Sequence, residues 1–218
     1  MESVIRTLSL AMILTAFVVV ESRTLRRAVL AYMAQALLMV AVIACFATYH
    51  GALALWAATA FVTKFGIISW LLRRAIAGGD DREVAPLVGP VASAVVIGVL
   101  AVVSYQLLHR SVSFLAPTPT AELEPYRTNV AVALTLVAVG LYAIVTRRDA
   151  LKVVIGVCLI ENGAHLSLVS LATTMRETVL FGIVTDVVLA VFLLLYLIRG
   201  IEERIGSRDT SRLTLLKG

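Results

Sequence analysis

The sequence predicts an all-α integral membrane protein with seven transmembrane helices, its N-terminus outside and its C-terminus in the cytoplasm. Composition points there first. The 218 residues are 60% hydrophobic, with a mean hydropathy of +0.96, where a soluble domain is about 45–50% apolar. Charged residues make up only 15% of the chain, against about 25% in a soluble domain. Patterning points there next: long apolar runs recur, separated by short joints, and the joints alternate between rich and poor in Lys and Arg.

A membrane-crossing helix needs about 20 predominantly apolar residues. The runs at 3–20, 28–48, 52–72, 87–108, 128–146, 150–171 and 178–198 meet that length. The first, "LSLAMILTAFVVV", has no small-residue cleavage site before Glu21, so it reads as a retained helix. "ESRTLRR" and "YHG" turn the chain into the second and third runs. Pro86 suits the start of the fourth, where a missing N–H costs little. Pro117, Pro119 and Pro125 mark the longest joint, 109–127, which divides a four-helix half (1–125) from a three-helix half (126–218) with a short cytoplasmic tail. "TRRD" precedes the sixth run, and Asp149 is placed to cap it through free backbone N–H groups. "MRE" leads into the seventh. No run shows the alternation of a barrel strand.

Orientation follows from the cations. Arg23, Arg26, Arg27, Arg73, Arg74, Arg82, Arg147, Arg148, Lys152, Arg199, Arg204, Arg208, Arg212 and Lys217 fall on one side; Arg6, Arg110, Arg127 and Arg176 fall on the other. The richer side is cytoplasmic by the positive-inside rule. The net charge of +5 is therefore topological. It forms no basic face with interleaved aromatics, so nucleic acid is not an expected partner; the lipid bilayer is. Cys45 and Cys158 sit in apolar runs without metal-ligand spacing and read as packing residues.

Four ionisable residues interrupt the apolar runs near their middles: Lys64 in the third, Glu161 and His165 in the sixth, Asp186 in the seventh. A charge at a helix centre costs about 2.5–3.5 kcal/mol on insertion scales, so such groups face the bundle interior, pair, or line a hydrated cavity. Glu161 and His165, four apart, share a helix face. Gly156 and Gly163 let a neighbouring helix approach closely, and Asn162 adds a polar group beside Glu161. Acid, imidazole and amine together suit a proton relay with Glu161, Asp186, His165 and Lys64 as carriers, lying on one buried line. A charge network that only fixes helix register is the plainer reading. Haem ligation by His165 lacks a partner at its depth, since His50 and His109 stand at helix ends. Gln35, Arg6, Tyr32, Trp56, Trp70, Tyr142 and Tyr196 read as packing or interfacial groups, with Gln35 and Arg6 open to a place in the polar interior. Thr63 and Thr185, each before a charge, are expected to bond backbone.

The stretches "RRDALKVVIGVCLIENGAHLSLVSLA", "FGIVTDVVLAVFLLLYLIRGI", "AFVTKFGIISWLLRRAI" and "LTLLKG" resemble component E of hydrogenase-4-type complexes, over nearly the whole chain. These are multi-subunit nickel–iron hydrogenases, including formate hydrogenlyases, related to respiratory complex I. The last three runs are also similar to the small K-type subunit of complex I and the C-type subunit of multi-subunit cation/proton antiporters. The K-type subunit carries a glutamate on the proton path in each of its last two helices. Glu161 matches the first; Asp186 matches the second, one methylene shorter. His165 and Lys64 match the component E pattern alone.

The resemblance implies a non-catalytic membrane subunit of an energy-converting hydrogenase in the bacterial inner membrane, contributing to proton translocation. It implies antiporter-like subunits, a hydrogenase membrane anchor and soluble hydrogenase subunits as partners. The nickel–iron centre and iron–sulfur clusters are expected in those partners, and no cofactor or metal in this chain. A scaffold without proton conduction, or a cation/proton antiporter subunit, are the other readings.

Overall fold

The computed structural model describes residues 1–49, 51, 53–77, 80–119, 121–171 and 177–215. His50, Arg176 and Lys217, counted above, lie outside them. Seven long helices follow in chain order: α1 (Glu2–Glu21), α2 (Leu25–Ala47), α3 (Leu53–Ile76), α4 (Pro90–Arg110), α5 (Tyr126–Thr146), α6 (Ala150–Leu171) and α7 (Glu177–Ile205). Of these, α1 to α6 are long and apolar enough to cross a membrane. At 1.5 Å per residue, each rises about 30 Å or more. The only β pairing among the described residues is two isolated bridges, Thr24 with Arg82 and Asp149 with Asp209.

Two helix bounds differ from the expected spans for local reasons. The fourth helix starts at Pro90, not near 87, and Pro90 takes the early-helix position assigned above to Pro86. Pro86 stays in the preceding loop, where the Leu87 N–H donates to the Thr146 carbonyl at 3.0 Å. The seventh helix runs on to Ile205, because the charged "GIEERI" continues the helix beyond the apolar run.

Helices α5 and α6 form the closest pair in the bundle. Small residues make this possible. A Cβ on Gly140 would lie 2.8 Å from the Gly156 carbonyl, and a Cβ on Gly156 would lie 3.1 Å from the Gly140 carbonyl. Helices α1 and α2 pack on this pair, and α3 packs on α2. Helix α4 buries one stripe, Ser93, Ile97 and Ala101, against α5 and α1. Its other faces carry exposed Val91, Val95, Val99 and Val102. Such three- and four-residue spacing puts an apolar face toward lipid or a neighbouring protein.

The Arg-rich end of the bundle is closed by a buried ionic network. Arg147, from the α5–α6 turn, reaches Glu21 at 2.5 Å, Ser93 at 2.8 Å and Glu83 at 3.4 Å. The Ser93 hydroxyl donates to Glu21 and accepts from Tyr142. The Lys152 ammonium spends its three protons on the carbonyls of Val19, Val20 and Ser22, which end α1. It thereby satisfies carbonyls that lack helical partners. Asp149 caps α6 by accepting from the Leu151 N–H at 3.0 Å, as its position suggested, and also accepts from Val84. Burial holds the Glu83 carboxyl above its ordinary value, and Lys152 and Arg147 offset only part of that rise. The tail folds over this end: Ala150 donates to the Arg208 carbonyl, and Thr210 to that of Arg148.

Removing one partner of a buried ion pair costs about 3–5 kcal/mol, because the other charge is left unpaired. Arg147→Met is therefore expected to lower the unfolding midpoint in detergent sharply. Arg148→Met, whose side chain is partly exposed, should change it little. Equal midpoints for the two variants would show that the network does not carry stability.

A buried charge cluster at mid-bundle

Lys64 sits in the middle of α3, where the backbone changes winding. Residues Phe61–Ile68 form a π-helical segment between two α-helical stretches, Leu53–Ala60 and Ser69–Ile76. The Ser69 hydroxyl donates to the Lys64 carbonyl at 2.9 Å, five residues back. Thr63 donates to the Thr59 carbonyl at 2.8 Å, so it serves the backbone as expected. π segments are rare and gather at functional sites. Here the wider winding accompanies a lysine that is 1% exposed in the bundle centre.

The Lys64 ammonium donates to the Glu161 carboxylate and, at 2.7 Å, to the Asn162 side-chain carbonyl. On the other side of the carboxylate, His165 Nδ1 lies 2.7 Å from Glu161 Oε1, one helical turn on, but out of line for a hydrogen bond. A small rotation of the imidazole would make one. The ring of Trp56 meets His165 edge-on, with centroids 5.7 Å apart at 84°. Tyr32 and Gln35 are fully buried on α2, and α2 packs against both the π segment and α6. Tyr32 faces Cys158 and Glu161. Gly163 lets α6 press onto α5: a Cβ there would lie 2.5 Å from the Ala133 carbonyl. The close approach expected for Gly156 and Gly163 is thus made by α5.

Several polar atoms in this layer are buried without a protein partner: the Tyr32 hydroxyl, both ends of the Gln35 amide, Trp56 Nε1, Asn162 Nδ2 and His165 Nε2. Buried polar groups are ordinarily bonded, to protein or to ordered water. A carboxylate held between an ammonium and an imidazole can accept a proton from one side and release it to the other.

Of the four ionisable residues singled out in the sequence, the structure brings three together: Lys64, Glu161 and His165. It does not bring in Asp186. That side chain is exposed on α7, so the expected single buried line from Lys64 to Asp186 ends at His165. The cause is helix rotation. Thr185 lines a crevice of about 530 Å³ with Thr63 of the π segment, and the next residue, about 100° further around, points away from the bundle. Gln35 is interior, whereas Arg6 is exposed. His109 pairs with Glu124 at 3.0 Å near the far end of α4. Burial raises the Glu124 carboxyl, but hydrogen bonds from Thr128 and His109 outweigh it and hold the group below the usual carboxylate range. Among the described residues, no three His, Cys, Asp or Glu side chains gather as a metal-binding group.

Sequence reasoning missed the π segment and the place of Trp56 and Tyr32 in the cluster. Both aromatic residues read as packing groups in sequence. Only the histidine contact and the orphaned hydroxyl and indole mark them otherwise.

Residues of this cluster fall within stretches that are similar to known proteins. Residues 129–218 match the family described as NADH-ubiquinone/plastoquinone oxidoreductase chain 4L. That stretch includes Glu161, His165 and Asp186, while Lys64 stands outside it. The chain is also 29% identical to hydrogenase-4 component E of Escherichia coli K12, covering 99% of this chain and 98% of the relative. The proteins of that name from Escherichia coli O157:H7 and Shigella flexneri match to the same extent. No solved structure matches the chain. The chain is thus similar to hydrogenase-4 component E along nearly its whole length, and its residues 129–218 are similar to the chain 4L family.

Proposed function

We propose that this chain is the membrane subunit of a complex-I-like, energy-converting nickel–iron hydrogenase, in which Glu161 carries a proton between Lys64 and His165. The observation that carries the reading is the buried contact of Lys64, Glu161 and His165 across α3 and α6. In this reading α1 to α7 all cross the bacterial inner membrane, with the N-terminus outside and the Arg-rich end in the cytoplasm. Hydrogen chemistry, with its nickel–iron and iron–sulfur centres, belongs to soluble partner subunits.

The roles follow from the chemistry of each group. Lys64 holds Glu161 charged until a proton arrives. Protonation of Glu161 frees the ammonium to keep Asn162 alone. His165 exchanges a proton at Nδ1 with Glu161 and at Nε2 with the hydrated side, as a neutral imidazole can. Asp186, exposed at mid-helix, serves the path where an antiporter-like subunit or the hydrogenase anchor covers α7, since a carboxylate facing lipid is costly. Moving one charge against 100 mV takes about 2.3 kcal/mol, which the redox arm supplies.

The test substitutes Glu161→Gln in the intact complex. Hydrogenase activity with artificial electron carriers should persist, while proton movement per hydrogen should fall at least about tenfold, a barrier increase of about 1.4 kcal/mol. Asp186→Asn should do the same to a smaller degree. Undiminished proton movement in both variants would contradict the relay.

One observation favours a second reading, a scaffold. The cation that pairs with Glu161, Lys64, belongs to its own chain, as expected of a charge pair that only sets helix register. That reading predicts that Glu161→Gln reduces assembled complex on native gels in step with proton movement.

A further inference from the structure

We propose that the cleft between Arg26 and Arg73 binds the phosphodiester headgroup of an anionic membrane lipid. Arg26 stands in the first turn of α2 and Arg73 in the last turn of α3. The cleft has a volume of about 490 Å³ and is lined by Arg26, Val29, Leu30, Arg73, Ile76 and Ala77. Both guanidinium groups are exposed, and neither has an ion pair among the described residues. Asp81, the neighbouring acid, gives its carboxylate to the Arg26 backbone N–H at 2.8 Å rather than to a side chain.

The place and the lining match such a ligand. Two guanidinium forks at the end of two membrane helices stand at headgroup depth, where basic pockets between helices hold anionic lipid. Guanidinium recognises phosphate oxygens in pairs. Deeper along α2 the wall turns apolar at Val29 and Leu30, and Ile76 adds an apolar side at the end of α3. Exposed Leu30 and Leu37 continue along α2 as a track for an acyl chain.

The crevice on the other side of α3 shows what disqualifies a site. It too has two arginines, Arg74 and Arg199, but Glu202 and Glu203 line it with them. Arg199 bonds Glu203 at 3.1 Å, and Arg74 lies over the Trp70 ring at 5.4 Å. Those cations are already partnered. Arg26 and Arg73 offer uncompensated charge over an apolar floor. This site depends on α2 and α3 reaching the membrane surface, and not on the proton role of Glu161.

Native mass spectrometry of the full chain in detergent tests it, with phosphatidylglycerol and phosphatidylcholine as competing probes. The wild type should retain phosphatidylglycerol preferentially. Arg26→Gln and Arg73→Gln should each cut that preference about fivefold, and the double variant should abolish it. Arg27→Gln, exposed on the same turn but outside the lining, should leave it intact. The single variants decide the matter if the double variant fails to express. Preference retained in both single variants overturns the proposal, as does equal loss in Arg27→Gln. Displacement of the lipid by inorganic phosphate at matched concentration would assign the cleft to a soluble anion instead and likewise overturn it.

Discussion

Replacing Lys64 with methionine is expected to destabilise the folded chain by about 3–5 kcal/mol, because it leaves the Glu161 carboxylate buried without its cation. Glu161→Gln should cost a similar amount by stranding the ammonium, whose side chain is 2% exposed. The double variant Lys64→Met/Glu161→Gln should recover most of that loss. It leaves no uncompensated charge, and neutral replacement of a buried pair is often tolerated. Unfolding midpoints of the three variants in one detergent close the cycle, and the double variant's loss should fall several kcal/mol short of the sum of the two single losses. Additive losses would mean that the two groups do not act as a pair. Glu161→Gln thus carries a stability cost as well as a transport cost. The transport test therefore needs the double variant as its control, since it loses the relay while keeping the fold.

Gly163→Ala should produce the second large effect. Its Cβ would stand 2.5 Å from the Ala133 carbonyl, 2.9 Å from Val137 Cγ2 and 3.3 Å from the Val137 nitrogen. Backbone cannot step aside as a side-chain tip can, so α5 and α6 must separate. Overpacking of this kind costs about 1–3 kcal/mol, and a clash with a carbonyl belongs at the upper end. Glu161 stands two residues earlier on the same helix, so the displacement also pulls the carboxylate from Lys64. Gly98→Ala in α4 is the control, since a Cβ there meets nothing within 4 Å. It should be neutral, or stabilising by about 0.5–1 kcal/mol, as expected for a helical glycine replaced by alanine. Unchanged assembly of Gly163→Ala would show that the α5–α6 contact is looser than its geometry indicates.

Much of this could be read from the sequence because it is a local property. Apolar runs of membrane length announce helices α1 to α6 whatever their neighbours, and the cost of a mid-run charge marks Lys64, Glu161 and His165 as interior groups. The four-residue spacing of Glu161 and His165 fixes their shared face. What could not be read depends on rotation and long-range packing. Asp186 carries the same intramembrane signature as Glu161, yet it is exposed on α7. A helical run gives its own periodicity but not which face a distant helix will cover. The π winding around Lys64 has no distinct composition, since "FVTKFGII" is as apolar as its α-helical flanks. Arg147 and Lys152 illustrate another limit. In the sequence they count as loop cations, but both are buried, one against Glu21 and Glu83, the other on the end of α1. Their partners lie between 54 and 133 residues away in the chain, beyond any local pattern.

The central claim is that Glu161 changes protonation as the complex works. Infrared difference spectra of the carboxyl C=O stretch, recorded between the resting and hydrogen-reduced complex, test this most directly. The account predicts a protonated-carboxyl band that appears on reduction, shifts in the Lys64→Met variant and is missing in Glu161→Gln. A band of the same position and intensity in the wild type and in Glu161→Gln would show that the proton moves elsewhere.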